Sequence, residues 1–213
     1  KNIKNSTIAS LARCHPDDIE QAWEAIKVAK DSRIHVFTST SEIHMEHMLR
    51  KTKEDILKDT RESVKYAKKL CQDVEFSAQD ATRTDKDFLI EVLKIAVEEG
   101  ATTINVPDTV GYATPKDYLD LLQSVYEDVK GGNEDVIIST HCHNDLGLAV
   151  ANSLTAITAG ARQIEGAING IGERAGNTST EEIIMAIKTR QDQFGVDINC
   201  LLYTSDAADD GVG

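Results

Sequence analysis

Short runs of β-branched and other apolar residues alternate with longer amphipathic stretches along the whole chain. The short runs lie at residues 7–12, 33–39, 73–77, 102–106, 135–141 and 162–168 and have the length and composition of strands. After each run, apolar residues recur with helical spacing, which predicts a helix after every strand. Six strand–helix units of roughly thirty residues each predict an α/β fold with a parallel sheet covered by helices.

Helix-start signals stand where the amphipathic stretches begin. Capping boxes of the type S/T-x-x-D/E start at Thr52, Thr84 and Thr114. Pro16, followed by two acidic residues, and residues 178–181 open two further helices. These signals support the division into six units.

Two parallel-sheet architectures fit this repeat, a doubly wound sheet and a (β/α)₈ TIM barrel. No GxGxxG motif follows the first strand, which weakens the doubly wound alternative. Polar residues instead follow several different strands, as in barrel enzymes. They are Ser77, Gln79, Asp108, Thr109, His141, His143 and residues 173–177. Because six units cannot close an eight-stranded barrel, we predict a truncated TIM barrel that lacks about two units at its N-terminal side.

The charge and cysteine content exclude several classes of function. The chain carries 23 basic and 36 acidic residues, a net charge of −13, which argues against a nucleic-acid or anionic-membrane surface. No apolar run reaches transmembrane length, and no signal peptide is recognisable. The four cysteines are scattered without a CxxC motif, which favours a reducing compartment, the cytoplasm or an organelle stroma, over a disulfide framework. We predict a cytoplasmic protein.

The two ends of the chain break the pattern. The chain opens without Met and reaches a strand-like run almost at once. From Cys200 onward the sequence resembles a translated sequencing adapter, with an ordinary flexible, acidic terminus as the alternative. We therefore expect residues 1–199 to form a partial TIM-barrel catalytic domain and residues 200–213 to be a non-native tail.

Two histidines at the end of the fifth strand suit a divalent metal. The motif HCHND at 141–145 follows an apolar run, so His141 and His143 point to one side and Cys142 to the other. The motif GERAGN at 172–177 follows the next strand and adds a carboxylate, a guanidinium and the amide of Asn177. The alternatives are a hydrogen-bonded histidine pair and, for the asparagine, a helix N-cap.

These motifs also carry a resemblance to a known family. They are DVEFS at 73–77, TINVPDTVGY at 103–112, HCHNDLG at 141–147 and NGIGERAGN at 169–177. Residues 6–199 resemble the isopropylmalate synthase/homocitrate synthase family of metal-dependent Claisen-condensing enzymes. The resemblance implies a (β/α)₈ barrel of which strands three to eight are present. The family's first-strand motif, of the type DTTLRDG, supplies a metal-binding Asp and a catalytic Arg and has no counterpart in this chain, and neither has its regulatory region.

The resemblance implies an acyltransferase of leucine biosynthesis. It would condense acetyl-CoA, its co-substrate, with 2-oxoisovalerate to give 2-isopropylmalate and CoA. The alternatives are a citramalate or homocitrate synthase, which uses another 2-oxo acid, and a catalytically inactive barrel fragment; a hydroxymethylglutaryl-CoA lyase is a more distant relative whose cysteine-bearing loop is lacking. The family implies small-molecule substrates and a full-length homodimer. With two open sheet edges, the 213-residue chain alone is predicted to fold poorly and to have no turnover.

The same resemblance assigns the site residues. His141, His143 and Asn177 are implied metal ligands for Mn²⁺ or Mg²⁺, with Zn²⁺ as an alternative. Thr109 and Glu173 are implied catalytic residues, with a turn hydroxyl and a salt bridge to Arg174 as the respective alternatives. The implied substrate-binding residues are His35, Phe37, Ser77, Asn105, Pro107 and Thr109.

Three further residues are interpreted conservatively. Gln79 stands where many relatives carry an acidic residue, and as an amide it cannot be a general base. His44 and His47 lack a third ligand nearby in sequence, so we do not assign a second metal site to them.

Overall fold

A six-stranded, fully parallel sheet forms the framework of the protein. The computed structural model describes residues 5–195. The strands are β1 (Ile8–Arg13), β2 (Ser32–Ser39), β3 (Asp73–Gln79), β4 (Thr103–Asp108), β5 (Ile137–Cys142) and β6 (Gln163–Glu165), and they are hydrogen-bonded in chain order. The predicted α/β fold of six strand–helix units is thereby confirmed. β6 is shorter than its predicted run because a 3₁₀ turn at Ile168–Gly170, with Asn169 in a left-handed conformation, follows it.

Helices connect the strands and cover one face of the sheet. They are α1 (Pro16–Ile26), α2 (Glu42–His44), α3 (Lys53–Leu70), α4 (Lys86–Glu98), α5 (Pro115–Val125), α6 (Ala149–Thr158), α7 (Thr180–Thr189) and α8 (Gln191–Phe194). Complete capping boxes at Thr52 and Thr114 confirm two predicted helix starts. The prediction for α4 was wrong by one residue: Asp85 caps the helix, because the Thr84 hydroxyl donates instead to the carbonyl of Asp80.

The sheet curves into a half-barrel. Neighbouring strands lie about 4.8 Å apart, so four steps across a flat sheet span about 19 Å. Nevertheless, Arg33 Nη1 on β2 donates to Gln163 Oε1 on β6 over 2.5 Å. Curvature therefore brings these strands together across a concave inner face.

The convex face carries the apolar core. The large apolar residues at even-numbered positions of β2 to β5 point towards the helices, and their side chains are at most 1 % exposed. They are Ile34, Val36, Val74, Phe76, Ile104, Val106 and Ile138. Their burial fixes the odd-numbered side chains on the concave face, because a one-residue shift of a strand would exchange the two faces.

Among residues 5–195, none of the helices has both the length and the apolar composition needed to cross a bilayer. The predicted tail at 200–213 and its boundary with residues 1–199 lie outside the described residues.

Candidate functional site

Polar side chains line the concave face of the half-barrel. They are Arg33, His35, Glu75, Ser77, Asn105, Ser139, His141, Gln163 and Glu165, all at odd-numbered strand positions. All six strands are parallel, so the residues that follow them gather at one edge of the sheet. This edge, with the adjoining concave face, is the candidate site.

The two histidines of the HCHND motif converge as the strand alternation predicts. His141 Nε2 and His143 Nε2 lie 3.1 Å apart, and the rings meet edge to face with centroids 4.9 Å apart. Cys142 points to the opposite side, where it is fully buried, and this burial raises the pKa of its thiol to about 11. The thiol therefore packs in the core and does not reach the histidines.

The loop after β6 returns to the end of β5 and places Asn177 beside His143. These two residues form an antiparallel β-bridge, and the backbone amide of Thr178 donates to the carbonyl of Cys142 over 3.0 Å. A Cβ atom at Gly172 would lie 2.4 Å from Asn177 Nδ2, so glycine is needed there for the amide to keep its position. Asn177 is not a helix N-cap, because Ser179 caps α7.

Three donor atoms of this cluster fit a divalent cation. Asn177 Oδ1 is buried and has no hydrogen-bond partner among the described residues, and the Nε2 atoms of His141 and His143 face each other. Burial and the nearby His141 lower the pKa of His143, which favours the neutral imidazole that binds metals. Two imidazole nitrogens and one amide oxygen suit Mn²⁺, Mg²⁺ or Zn²⁺.

Thr109 follows β4 at the same edge. Its Oγ1 accepts a hydrogen bond of 2.9 Å from the backbone amide of Asp80, which is in a left-handed conformation. The preceding Asp108 is fully buried and accepts bonds from Thr82 Oγ1 and the amide of Ala113. The Thr109 hydroxyl is thus held in place as an acceptor, and its hydrogen is left to donate to a ligand.

A chain of hydrogen bonds joins three of the predicted pocket residues. Ser77 Oγ lies 2.6 Å from His35 Nε2 and accepts a bond of 2.8 Å from Asn105 Nδ2. Burial lowers the pKa of His35. Pro107 is buried in β4, and Phe37 lines a groove along β1 rather than this chain of hydrogen bonds. The structure therefore brings His35, Ser77 and Asn105 together.

Arg174 connects three of the loops that form the site. Its Nε and Nη2 atoms pair with both carboxylate oxygens of Asp145, at 2.7 and 2.9 Å, and Nη2 also donates to the carbonyl of Thr109 over 2.8 Å. Glu173 is a weaker partner, 3.5 Å away and 79 % exposed. Sequence reasoning missed the Arg174–Asp145 pair, although both residues stand in the quoted motifs.

Replacing Arg174 with Met is expected to lower turnover ten- to a hundredfold with little loss of stability. The reason is that the loop of Asn177 loses its anchor to the other two loops, and displacements of about 1 Å at a site have effects of this size. Steady-state kinetics of the full-length protein measure the effect. Arg190→Ala is the matched control, because Arg190 is exposed and pairs with Asp192 outside the site. Turnover of the Arg174 variant within twofold of wild type would contradict the anchoring role.

Below these residues lies a network that we call the floor network, formed by Arg33, Glu75, Gln163 and Glu165. Arg33 Nη1 lies 3.1 Å from Glu75 Oε2, and Gln163 Nε2 donates to Glu75 Oε1 over 2.7 Å. Glu165 Oε2 lies 3.0 Å from His141 Nδ1. The network was not predicted, although charged residues within otherwise apolar strands were a signal for it.

His35, Glu75 and Glu165 also form a second arrangement of metal-ligand type. One donor atom of each lies within 4.8 Å of the others. However, Glu75 already accepts from Gln163 and pairs with Arg33, whose guanidinium would repel a second cation. We therefore interpret this group as part of a hydrogen-bonded network.

The floor network makes stability depend on pH through Glu75. Burial and the neighbouring Glu165 raise the pKa of Glu75 from 4.5 to about 7. The folded state therefore favours the protonated acid: this contribution to stability is complete below pH 4.5 and is lost as the pH rises through 7. In the wild-type protein we expect this group to lower the free energy of unfolding by about 3 kcal/mol as the pH rises from 4.5 to above 7. Glu75→Gln is expected to remove this pH-dependent loss. Urea unfolding at several pH values measures the free energy of unfolding of both proteins. If it changes with pH in the same way for wild type and Glu75→Gln, this prediction is wrong.

The side chains of Gln79, His44 and His47 make few contacts. The Gln79 side chain accepts a hydrogen bond from Ser39. His44 lies 3.5 Å from the carboxylate of Asp80, and His47 is 69 % exposed. Within residues 5–195 neither histidine belongs to a group of three or more His, Cys, Asp and Glu side chains arranged to hold a metal.

Known proteins resemble this chain over most of its length. It is 53 % identical to the 2-isopropylmalate synthase of Pelotomaculum thermopropionicum over 199 residues, 93 % of this chain and 39 % of the relative. It is 55 % identical to that of Clostridium kluyveri over 194 residues, 91 % of this chain and 38 % of the relative. The chain thus spans less than two fifths of the length of these relatives.

A solved structure and a family profile agree with the half-barrel. HMG-CoA lyase from Bacillus subtilis superposes with a TM-score of 0.76 at 22 % identity, covering 89 % of this chain and 64 % of the lyase, which supports a TIM-barrel fold. The profile of the HMGL-like family matches residues 1–207. With this match and the site geometry, the chain belongs to the HMGL-like family of TIM-barrel proteins.

Proposed function

We propose that this chain is the larger part of the catalytic barrel of a 2-isopropylmalate synthase and contributes strands three to eight. The reaction joins acetyl-CoA and 2-oxoisovalerate, consumes one water and releases 2-isopropylmalate and CoA. The observation that carries the proposal is the convergence of two imidazole Nε2 atoms, 3.1 Å apart, beside the unpartnered Asn177 amide oxygen. The identity of 53–55 % to named 2-isopropylmalate synthases supports the same conclusion.

His141, His143 and Asn177 would hold the divalent cation. When bound, the cation polarises the ketone of the 2-oxo acid and stabilises the negative charge that develops on its oxygen during carbon–carbon bond formation. Neutral imidazoles are the required form, and the lowered pKa of His143 favours this form.

Thr109 and the pocket residues would orient the 2-oxo acid. With its oxygen occupied by the amide of Asp80, the Thr109 hydroxyl donates its hydrogen to the substrate carboxylate. The hydrogen bonds that join Ser77 to His35 and Asn105 hold these three side chains in place on the concave face. Pro107, buried in β4, would contribute apolar surface to this pocket, and Phe37 would do so from the adjoining groove along β1.

Glu173 is exposed, so it is free to meet the second substrate. We assign to it the orientation of the water that hydrolyses the thioester. The base that removes a proton from the acetyl methyl group is not assigned, since Gln79 lacks the acidity and basicity for this step.

An assay of the full-length protein tests the proposal. CoA release is followed with acetyl-CoA and Mn²⁺ for 2-oxoisovalerate, pyruvate and 2-oxoglutarate. We expect the largest kcat/KM with 2-oxoisovalerate and no release after chelation. Preference for pyruvate or 2-oxoglutarate would favour a citramalate or homocitrate synthase, and no release with any 2-oxo acid would overturn the proposal. The cytoplasmic location and the homodimer belong to the same proposal, and gel filtration of the full-length protein tests the dimer.

A further inference from the structure

One carboxylate at the boundary between the floor network and the metal-ligand cluster contacts two imidazoles. Glu165 Oε2 lies 3.0 Å from His141 Nδ1, and Glu165 Oε1 lies 3.8 Å from His35 Nδ1. On the other side of each ring, His141 Nε2 faces the candidate metal ligand His143, and His35 Nε2 faces the pocket residue Ser77. Glu165 therefore stands behind both a proposed metal ligand and a proposed substrate-binding residue.

Strand register explains the contact with His141. Glu165 on β6 is the direct partner of His141 on β5 in the parallel ladder, so both side chains leave the sheet on the same face. The contact with His35 crosses the concave face from β6 to β2 and depends on the curvature of the sheet.

The other members of the floor network restrict the position of Glu165. Glu75 lies next to it, and that carboxylate is itself fixed by Arg33 and Gln163. The Glu165 side chain is 27 % exposed, so few solvent molecules compete for its oxygens. An anchored, largely buried carboxylate is suited to hold a ring in one orientation.

A metal-binding histidine needs such a partner. The nitrogen that faces the metal must be unprotonated, so the other nitrogen carries the hydrogen and donates it to an acceptor. In His141 the Nδ1 atom is buried, forms no hydrogen bond of good geometry within the described residues, and has the Glu165 carboxylate as a neighbour at 3.0 Å. Contacts of this kind commonly become better aligned when a ligand binds.

We infer that Glu165 is a positioning residue that orients His141 towards the cation and, through its second oxygen, links the metal ligands to the substrate-pocket residue His35. The inference rests on the proposed function. It assigns a role to a residue that belongs neither to the ligand set nor to the pocket residues.

The test compares Mn²⁺ binding by the full-length protein and three variants, measured by electron paramagnetic resonance of free Mn²⁺. We expect Glu165→Ala to weaken the affinity ten- to a hundredfold, the usual effect of losing such a partner. Glu165→Gln retains an acceptor for the Nδ1 hydrogen but lacks the negative charge that strengthens this bond, and is expected to weaken the affinity three- to tenfold. Glu98→Ala is the matched control, because this carboxylate is 62 % exposed and pairs with Arg61 outside the site, and it is expected to bind Mn²⁺ within about threefold of wild type.

A kinetic measurement examines the second contact. Because Glu165 also faces His35, Glu165→Ala is expected to raise the KM for the 2-oxo acid at saturating Mn²⁺, while the KM for acetyl-CoA is unchanged. A purely structural defect would lower the amount of folded protein without separating the two KM values.

The outcomes separate this inference from the proposed function. Wild-type affinity in Glu165→Ala would overturn the inference and leave the synthase proposal intact; if that variant does not fold, wild-type affinity in Glu165→Gln does the same. Weakened Mn²⁺ binding in a protein without condensation activity would support the inference and overturn the synthase proposal. Failure of the wild-type protein to bind Mn²⁺ would overturn both.

Discussion

Replacing His143 with Ala is expected to abolish tight Mn²⁺ binding and to lower condensation activity by about three orders of magnitude. The substitution removes one of two imidazole nitrogens that lie 3.1 Å apart, while its surroundings stay in place. Charge stabilisation by a bound cation accounts for several kcal/mol of a reaction barrier, and each 1.4 kcal/mol corresponds to a tenfold change in rate. Titration with Mn²⁺ and the CoA-release assay measure the two effects.

The control for this experiment is His47→Ala. His47 is 69 % exposed and pairs only loosely with Glu46, at 3.8 Å, so its loss is expected to leave metal binding and activity unchanged. Residual activity of the His143 variant above one tenth of wild type would contradict the assignment of this ring as a ligand. Unfolding curves of both variants exclude a general loss of structure.

Replacing Phe76 with Ala is expected to lower the free energy of unfolding by about 3–5 kcal/mol. Phe76 is fully buried on the convex face of β3, and its ring would leave a cavity that the surrounding helices cannot fill completely. Its neighbours in sequence, Glu75 and Ser77, point to the concave face, so the same substitution is expected to loosen the floor network and the pocket. Urea unfolding of the full-length protein measures the loss.

Val28→Ala provides the comparison for a residue that does not pack. Val28 is 59 % exposed, and surface substitutions change stability by about 0.5 kcal/mol or less. If the two variants unfold at the same urea concentration, the convex face is not the principal core of the protein. Mn²⁺ affinity of the Phe76 variant, measured where it is folded, reports whether the loosening reaches the metal ligands.

Local patterns predicted the framework of the protein well. Strand runs and capping boxes depend on neighbours in sequence, which is why five strands and the helix starts at Thr52 and Thr114 agree with the structure to within one or two residues. β6 was overestimated because its apolar run continues into a turn that involves left-handed Asn169. Thr84 was misassigned because a hydrogen bond to Asp80 competes with helix capping.

The candidate metal ligands were also accessible from the sequence. The spacing of His141 and His143 on a strand decides that both point the same way, independently of the rest of the chain. That Asn177 joins them was implied by family resemblance, and the backbone bridge to His143 supplies the physical reason.

The contacts of Arg174 and Glu165 are different in kind. Arg174 lies 29 residues from Asp145 in sequence, and Glu165 lies 130 residues from His35. Their pairing depends on how far the sheet curves and where the loop after β6 returns, and no local pattern encodes either quantity. The sequence by itself determined a parallel sheet covered by helices, two histidines on one side of a strand and an acidic net charge. Only the tertiary structure decided which charges meet on the concave face, because curvature brings β2 within hydrogen-bonding reach of β6.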